Sequence, residues 1–329
     1  MALIGGKKFA NIEIQDYVIR YAEMKNNKKS AVVTHCDEYY IPKGVVENGH
    51  VVDEELFVKT LKYCVRKWKL RGKKIRFIVP DSSVIIRTID VPADTADEEL
   101  TGYIYFELGH SVHLPFENPI VDAISLGVIE DKKQALVVAS SEEVVDSYYD
   151  FFKGERALPV VADVSALCQY RLFHHYGITN ENDIYMLAQF DVKSASISVF
   201  EQHKPIFMQE VTIPYVPDTW KVAALSQGGI LSKEQFNRDN VLSAISDIYT
   251  EMERILRFYQ YTLRSGEKQV TKILLTGDHP FMDEIFEGMQ MRLETPVQTL
   301  APDKIQVAQD MEVDTKYYNV LGLALKEGV

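Results

Sequence analysis

Apolar and polar residues alternate along the first part of the chain, which is the pattern of half-buried β-strands. A stretch with helical spacing follows, and Asp53 stands where the N-cap of that helix is expected. Its apolar face carries Leu56, Leu61, Cys64, Val65 and Trp68. The predicted elements are two strands joined by a turn over residues 9–21, a third strand over 31–42, a helix over 53–70 and a buried strand over 73–80.

The same order of elements begins again in the second half of the chain. Three strands are predicted over residues 183–191, 195–201 and 205–213, a long one-sided helix over 241–264 and a further strand over 272–278. Because three strands, a helix and a strand occur twice, the pattern indicates two related α/β lobes. This repeat rests on the order of elements alone.

A block with a different pattern separates the two copies. It predicts a helix over residues 97–110, strands over 119–129 and 134–140, and a helix over 142–152. We interpret this α-β-β-α block as a subdomain inserted into the first lobe. The predicted organisation is a first lobe over residues 1–180, with an inserted subdomain over 92–157, and a second lobe over 181–329.

Charge and cysteine usage narrow the functional classes. The 36 Lys and Arg against 48 Asp and Glu give a net charge of −12, which opposes binding to nucleic acid. The N-terminus lacks the apolar region of a signal peptide, and no run of 18 apolar residues occurs, so we expect a cytoplasmic protein without direct membrane insertion. Cys36, Cys64 and Cys168 lack metal-ligand spacing, so we expect reduced core thiols and no metal site.

Several motifs, spread over nearly the whole chain, resemble those of one known family. They are Pro92, Glu99, Leu100, Ile104, Glu107, Pro115, Phe116 and Asp122 in the predicted insert, residues 137–139, 144–148 and 161–164 after it, and Glu251, Arg254, Leu256, Tyr259 and residues 322–326 further on. In order and spacing, the chain resembles the PilM family of type IV pilus assembly proteins, which is related to FtsA. The resemblance implies a bilobed actin-like ATPase fold, a duplicated RNase H-like fold with the subdomain inserted in the first lobe.

The resemblance also implies partners and a location. PilM-like proteins hold the N-terminal tail of the membrane protein PilN against the first lobe and its insert, so the chain is expected to lie at the inner face of the membrane through a PilN-like tail and other platform proteins of pilus assembly. The candidate peptide-binding residues are Leu100, Tyr103, Ile104, Glu107 and Phe116. The alternative is that this stripe is the core of the insert itself.

The nucleotide site implied by the resemblance departs from the family pattern at four positions. Gln15 and Lys193 replace the glycines of the two phosphate-binding turns, Asp278 replaces one glycine of a pair, and residues 215–218 replace a glycine pair after the third strand of the second lobe. The residues that would contact a bound nucleotide are Glu13, Gln15, Arg20, Asp191, Lys193, Ser194, Glu251, Arg254, Gly277 and Asp278. For Glu251 and Arg254, a solvated helix edge is the alternative.

Two functions remain open at this point. The first is a scaffold of pilus assembly with a degenerate nucleotide site, no catalytic residue and no expected cofactor. The second is an ATP-binding, slowly hydrolysing assembly factor, for which the resemblance allows ATP with Mg²⁺. A small-molecule kinase is disfavoured, because such an enzyme needs glycine turns to aim the γ-phosphate. Asp163 would orient the water in a hydrolytic site, or else cap the helix that follows it.

Overall fold

Two mixed β-sheets organise the fold, as a computed structural model describes it for residues 9–27, 30–129, 131–214, 233–308 and 311–327. The strands are β1 (Phe9–Ile14), β2 (Val18–Asn27), β3 (Ser30–Tyr40), β4 (Val46–Glu47), β5 (His50–Val51), β6 (Lys74–Val79), β7 (Val84–Pro92), β8 (Pro119–Ile129), β9 (Lys132–Ser141), β10 (Leu158–Val164), β11 (Tyr185–Phe190), β12 (Ser194–Glu201), β13 (Lys204–Thr212), β14 (Lys272–Gly277) and β15 (Val297–Gln298). The helices are α1 (Glu54–Lys67), α2 (Leu100–Glu107), α3 (Glu142–Gly154), α4 (Ser165–His175), α5 (Arg238–Arg257), α6 (Met282–Arg292) and α7 (Tyr318–Ala324).

The strand order is the same in both sheets. The first sheet runs β3-β2-β1-β6-β10, and the corresponding part of the second sheet runs β13-β12-β11-β14-β15. In each, three strands form antiparallel hairpins and two further strands lie parallel to the first of them. Two copies of one α/β unit therefore build the core, as the repeat in the sequence predicted.

Tight turns connect the leading strands of both copies. In the first copy, the Gln15 amide donates to the Val18 carbonyl at 2.9 Å and closes the turn between β1 and β2. In the second copy, the Asp191 amide donates to the Ser194 carbonyl at 2.8 Å and closes the turn between β11 and β12. Because β1 and β11 are equivalent in their sheets, the two turns are equivalent in the repeat.

Helices cover the sheets with the faces that their periodicity predicted. The Asp53 side chain accepts the Leu56 amide at 2.9 Å and caps α1, which buries Leu61, Cys64 and Val65. The long helix α5 buries one face on the second sheet and continues into a π-helical turn over Phe258–Leu263. Each buried aliphatic side chain contributes about 1.5–3 kcal/mol relative to an exposed one, so these faces are a main source of stability.

The region between β6 and β10 contains three antiparallel strands and two helices. Strands β7, β9 and β8 extend the second sheet, joined to β13 where Ile86 pairs with Met208. Helix α2 forms a small core with these strands, whereas α3 packs into the core of the first sheet. The bounds predicted for the insert and for the two lobes stay predictions.

The last helix returns to the first sheet, although it follows the second sheet in the chain. Helix α7 lies against α4, where a Cβ on Gly322 would stand 1.9 Å from the Cys168 carbonyl oxygen. Only glycine allows the two helices to approach this closely. The Arg171 guanidinium donates to the Gly322 carbonyl at 2.8 Å and helps to fix the end of the helix.

Candidate functional site

The two equivalent hairpin turns face each other at the junction of the sheets. The Gln15 side-chain amide donates to Asp191 Oδ2 at 3.1 Å, and its oxygen accepts from the Arg20 guanidinium at 3.3 Å. Gln189 also donates to Asp191 Oδ2. The Gln15 side chain therefore binds the carboxylate of the opposite turn.

Arg20 crosses from the first sheet to the end of β14. Its guanidinium forms an ion pair with Asp278, and the Tyr17 hydroxyl donates to the same carboxylate at 2.6 Å. Arg20 also lies 3.4 Å from Glu38 Oε2, and only 1% of its surface is exposed. We call the set Gln15, Tyr17, Arg20, Asp191 and Asp278 the interlobe network.

Lys193 is held by the first turn. Its ammonium group pairs with Asp16, whose carboxylate also accepts the amides of Asn48 at 2.9 Å and Gly49 at 3.0 Å. The Lys193 cation is therefore already neutralised by an anion of the opposite turn. In this bridge the Lys193 side chain is 29% exposed.

Burial changes the acidity of the carboxylates in this junction. Glu13 is 3% exposed, and burial raises its pKa to about 7 against the opposing effects of Arg20 and of the Asn319 amide. Burial also raises the pKa of Asp191 well above its ordinary value, with Asp278 and Glu13 adding to the effect. Burial alone would lower the pKa of Arg20, but its carboxylate partners raise it. These shifts favour the protonated forms of Glu13 and Asp191, whereas Arg20 stays charged as the central cation of the junction.

Buried amides connect this junction to the helices. Asn319 on α7 donates to Glu13 Oε1 and, at 3.2 Å, to Gln189 Oε1 on β11. Gln169 on α4 donates to Asn319 Oδ1 at 2.9 Å. The two sheets and two helices are therefore joined by one continuous set of hydrogen bonds.

Gly277, the glycine that remains of the implied pair, is required by the backbone. Its φ is +131°, and a Cβ there would stand 2.0 Å from the Phe190 carbonyl oxygen. The neighbouring amide of Asp278 donates to that same carbonyl at 3.0 Å. The close approach of β14 to β11 alone accounts for a glycine at this position.

Two cavities flank the interlobe network. One has a volume of about 80 Å³ and is lined by residues that include Gln15, Asp81, Asp191, Lys193 and Ser194. The other, beside Arg20, Gly277 and Asp278, has a volume of about 10 Å³. A single water needs about 10–15 Å³ by this measure, so the first cavity has room for several waters and the second for one.

The structure brings eight of the ten predicted nucleotide contacts together and leaves two apart. Glu251 and Arg254 form an i,i+3 ion pair of 2.7 Å on α5, with Arg254 strongly exposed. Neither lines the two cavities at the turns, as far as the described residues show. The replaced glycine pair at residues 215–218 lies outside the described residues.

Asp163 does not cap the helix that follows it, as one of its two alternatives predicted. Its carboxylate pairs with Arg171 at 3.1 Å and with Lys326 at 3.2 Å, and the N-cap of α4 is Val164. Asp163 therefore neutralises cations around α4 and the end of the chain. No group of three or more metal-ligating side chains is present in the part of the chain that the structure describes.

The functional residues that the sequence did not single out are Tyr17, Asn319, Gln189 and Gln169. Tyr17 follows Gln15 in the turn, so its place beside the site had a local signal. The other three lie on α7, β11 and α4, and only the packing of distant segments brings their amides together.

The five predicted peptide contacts divide between core and surface. Leu100 and Ile104 are fully buried in the core beneath α2, which is the alternative that the sequence left open. Tyr103, Glu107 and Phe116 are partly exposed, and Glu107 accepts the Ser111 hydroxyl. For these three, peptide binding stays a prediction.

Comparison with known proteins decides the family. The model of the family described as "Type IV pilus assembly protein PilM" matches residues 11–213, more than half of the chain. This chain belongs to the PilM family. It therefore has a role in type IV pilus assembly, and the family resemblance noted in the sequence is confirmed. No curated protein sequence is significantly similar to the chain.

Solved structures confirm the PilM-like, actin-like fold. A chain of a "PilM-PilN type IV pilus biogenesis complex" is similar with a TM-score of 0.72 and 18% identity, over 96% of this chain and 97% of that one. The ethanolamine utilization protein EutJ from Carboxydothermus hydrogenoformans is similar with a TM-score of 0.54 and 12% identity, over 98% and 91% of the two chains. Among the described residues, no helix is long and apolar enough to cross a membrane.

Proposed function

We propose that this PilM-family chain is a scaffold of type IV pilus assembly that works without nucleotide and holds the N-terminal tail of a PilN-like membrane protein. The observation that carries the proposal is the ion pair between Arg20 and Asp278. It joins the two sheets at the place where the phosphates of a nucleotide would have to lie.

The residues at the two turns do not fit ATP with Mg²⁺. Phosphate binding at such turns relies on backbone amides that glycine leaves accessible. Here the Gln15 side chain occupies the first turn and binds Asp191, and Lys193 in the second turn is already paired with Asp16. A phosphate would have to displace both contacts.

Electrostatics support the same conclusion. The Arg20 guanidinium is already paired with Asp278, and the Lys193 ammonium group with Asp16, so these two cations are not free to bind a polyanion. A pair of like charges 4 Å apart costs about 4 kcal/mol at an effective dielectric constant of 20. Asp278 would repel a triphosphate in this way, and Arg20 could compensate the repulsion only by leaving Asp278.

The space at the junction is also small. Ligand pockets generally have about 300–1,000 Å³, whereas the larger cavity at the turns has about 80 Å³. Opening this cavity would require the Arg20–Asp278 and Gln15–Asp191 contacts to separate. The interlobe network thus takes over the task of joining the lobes that a nucleotide would otherwise perform.

The binding of a PilN-like tail is supported by family membership and by the surface of the insert. The similar chain with the highest TM-score reported above comes from a complex of PilM with PilN. In this chain, the insert exposes large apolar side chains on α2 and β8, among them Phe106 and Ile124. Exposed apolar side chains of this size are typical of an interaction surface. The chain would then lie in the cytoplasm at the inner face of the membrane, held there by its partner.

Titration calorimetry tests the proposal. The ligand is a synthetic peptide with the sequence of the N-terminal cytoplasmic tail of the PilN-like protein encoded in the same genome. We expect a 1:1 complex whose dissociation constant changes less than twofold between nucleotide-free protein and protein with about 5 mM ATP and Mg²⁺. Binding that requires ATP would contradict the proposal and favour the alternative of an ATP-dependent assembly factor.

A further inference from the structure

Negative charge is concentrated in one segment of the insert. Residues 88–131 contain ten Asp and Glu and no Lys or Arg, in a chain whose net charge is −12. Most of the net charge of the protein therefore resides in the segment that forms the end of β7, α2 and β8. A field of one sign over a surface selects partners of the opposite sign.

This segment forms an open groove of about 600 Å³ at the start of α2. Asp94, Glu98 and Glu99 line it together with Gly102, Tyr103 and Phe106. The Phe106 side chain is 78% exposed. A phenyl ring with this exposure has no role in the core of the insert, which is formed by Leu100 and Ile104 on the other side of the helix.

The carboxylates of the groove are not neutralised by the chain itself. Lys133 pairs with Asp97, and Lys132 pairs with Asp90, outside the lining of the groove. Asp94, Glu98 and Glu99 are exposed and take part in no ion pair within the described ranges. Three uncompensated carboxylates thus line the same groove as two aromatic rings.

We propose that this groove binds the basic part of the partner's tail, the Lys- and Arg-containing stretch next to its membrane helix. The proposal rests on the proposed function and adds the chemistry of recognition to it. Cytoplasmic segments adjoining a membrane helix carry an excess of Lys and Arg, so a tail of this kind presents the charge that the groove lacks. An arginine can pair with a carboxylate while its guanidinium plane stacks on an aromatic ring.

The groove offers a substitution that blocks it without disturbing the fold. A Cβ on Gly102 would meet no atom within 4 Å among the described residues. Gly102→Ala should therefore be tolerated, whereas Gly102→Trp fills the groove between the aromatic rings and the carboxylates. The pair of variants separates a blocked groove from a damaged helix.

Fluorescence anisotropy with the labelled tail peptide, at 0.1 M and 1 M NaCl, tests the inference. We expect Gly102→Trp and Phe106→Ala to weaken binding at least tenfold, and Gly102→Ala less than twofold. The triple variant Asp94→Asn/Glu98→Gln/Glu99→Gln should weaken binding at least fivefold at 0.1 M NaCl and less at 1 M, where the Debye length falls to about 3 Å. A matched triple variant on the second lobe, Asp247→Asn/Asp283→Asn/Glu287→Gln, should change affinity less than twofold. Thermal melting of each variant reports its folding.

A second peptide, in which Gln replaces every Lys and Arg of the tail, tests the groove inference separately from the proposed function. We expect it to bind the wild type as weakly as the native tail binds the triple groove variant. If the wild type binds both peptides equally, or if the groove variants bind like wild type, the groove is not the site and the proposed function stands. If the native tail does not bind the wild type at all, both the proposed function and the groove inference fail.

Discussion

Replacing Arg20 by methionine is the perturbation that bears most directly on how the two halves are held together. The guanidinium forms ion pairs with Asp278 and Glu38, donates to the Gln15 side-chain oxygen, and lies 3.8 Å from Glu13 Oε2. Methionine is apolar and of similar length, so the variant removes the charge with little loss of packing. Asp278, Glu13 and Glu38 then remain buried or half-buried without their shared cation.

The expected loss of unfolding free energy follows from the carboxylate charge that stays buried without its cation. Removing one partner of a buried ion pair costs about 3–5 kcal/mol, because the remaining charge has no compensation. Tyr17 continues to donate to Asp278, and Asn319 to Glu13, so we expect the lower half of that range. Asp278→Asn should cost less, and the double variant Arg20→Met/Asp278→Asn should be destabilised by less than the sum of the two single variants.

Urea unfolding followed by circular dichroism measures these free energies, with coincidence of two probes as the test of a single transition. Tyr17→Phe, which removes one hydrogen bond to Asp278, serves as the neutral comparison and should cost about 1 kcal/mol. If Arg20→Met loses less than about 1 kcal/mol of unfolding free energy, or if its effect and that of Asp278→Asn are additive, the interlobe network does not join the two halves as described.

Two further predictions concern pH and helix packing. Burial raises the pKa of Glu13 in the folded protein to about 7 from 4.5, so its contribution to stability is fully present below pH 4.5 and is lost as the pH rises through about 7. Between pH 5 and pH 8, Glu13→Gln should therefore lose less unfolding free energy than the wild type, by up to about 3 kcal/mol. Urea midpoints measured across that range test this difference. If the stability of both proteins changes equally with pH, the raised pKa of Glu13 is wrong. Gly322→Ala places a Cβ against the Cys168 carbonyl and should cost about 1–3 kcal/mol, whereas Gly102→Ala, with open space around its Cβ, should stabilise by about 0.5–1 kcal/mol in the same assay. Equal effects of the two substitutions would show that α7 does not cross α4 this closely.

Local periodicity was sufficient to predict most of the repeated unit. The alternation on both sides of Gln15 predicted the β1–β2 hairpin, and the apolar faces of α1 and α5 are buried as expected. Strand β7 was not predicted, although Val84–Pro92 alternates over part of its length. This strand follows β6 directly, and each of its residues pairs with a residue of β9 that lies 40 or more positions further along the chain.

The candidate site could be predicted in its members but not in its contacts. Glu13, Gln15 and Asp191 were expected near one another because the resemblance to the PilM family implied a nucleotide site at the two turns. The ion pair of Arg20 with Asp278 joins residues 258 positions apart, and no local pattern reports such a pairing. The same holds for Asn319, which reaches the site only because α7 returns to the first sheet.

The central claim is that the lobes are joined by protein side chains and not by a nucleotide. Titration calorimetry of the purified chain with ATP and Mg²⁺ tests it most directly, with Gln15→Gly/Lys193→Gly as a variant in which both turns regain glycine. The account predicts no binding heat for the wild type up to millimolar ATP, and no rise of its melting temperature. A dissociation constant in the micromolar range or below for the wild type would contradict it.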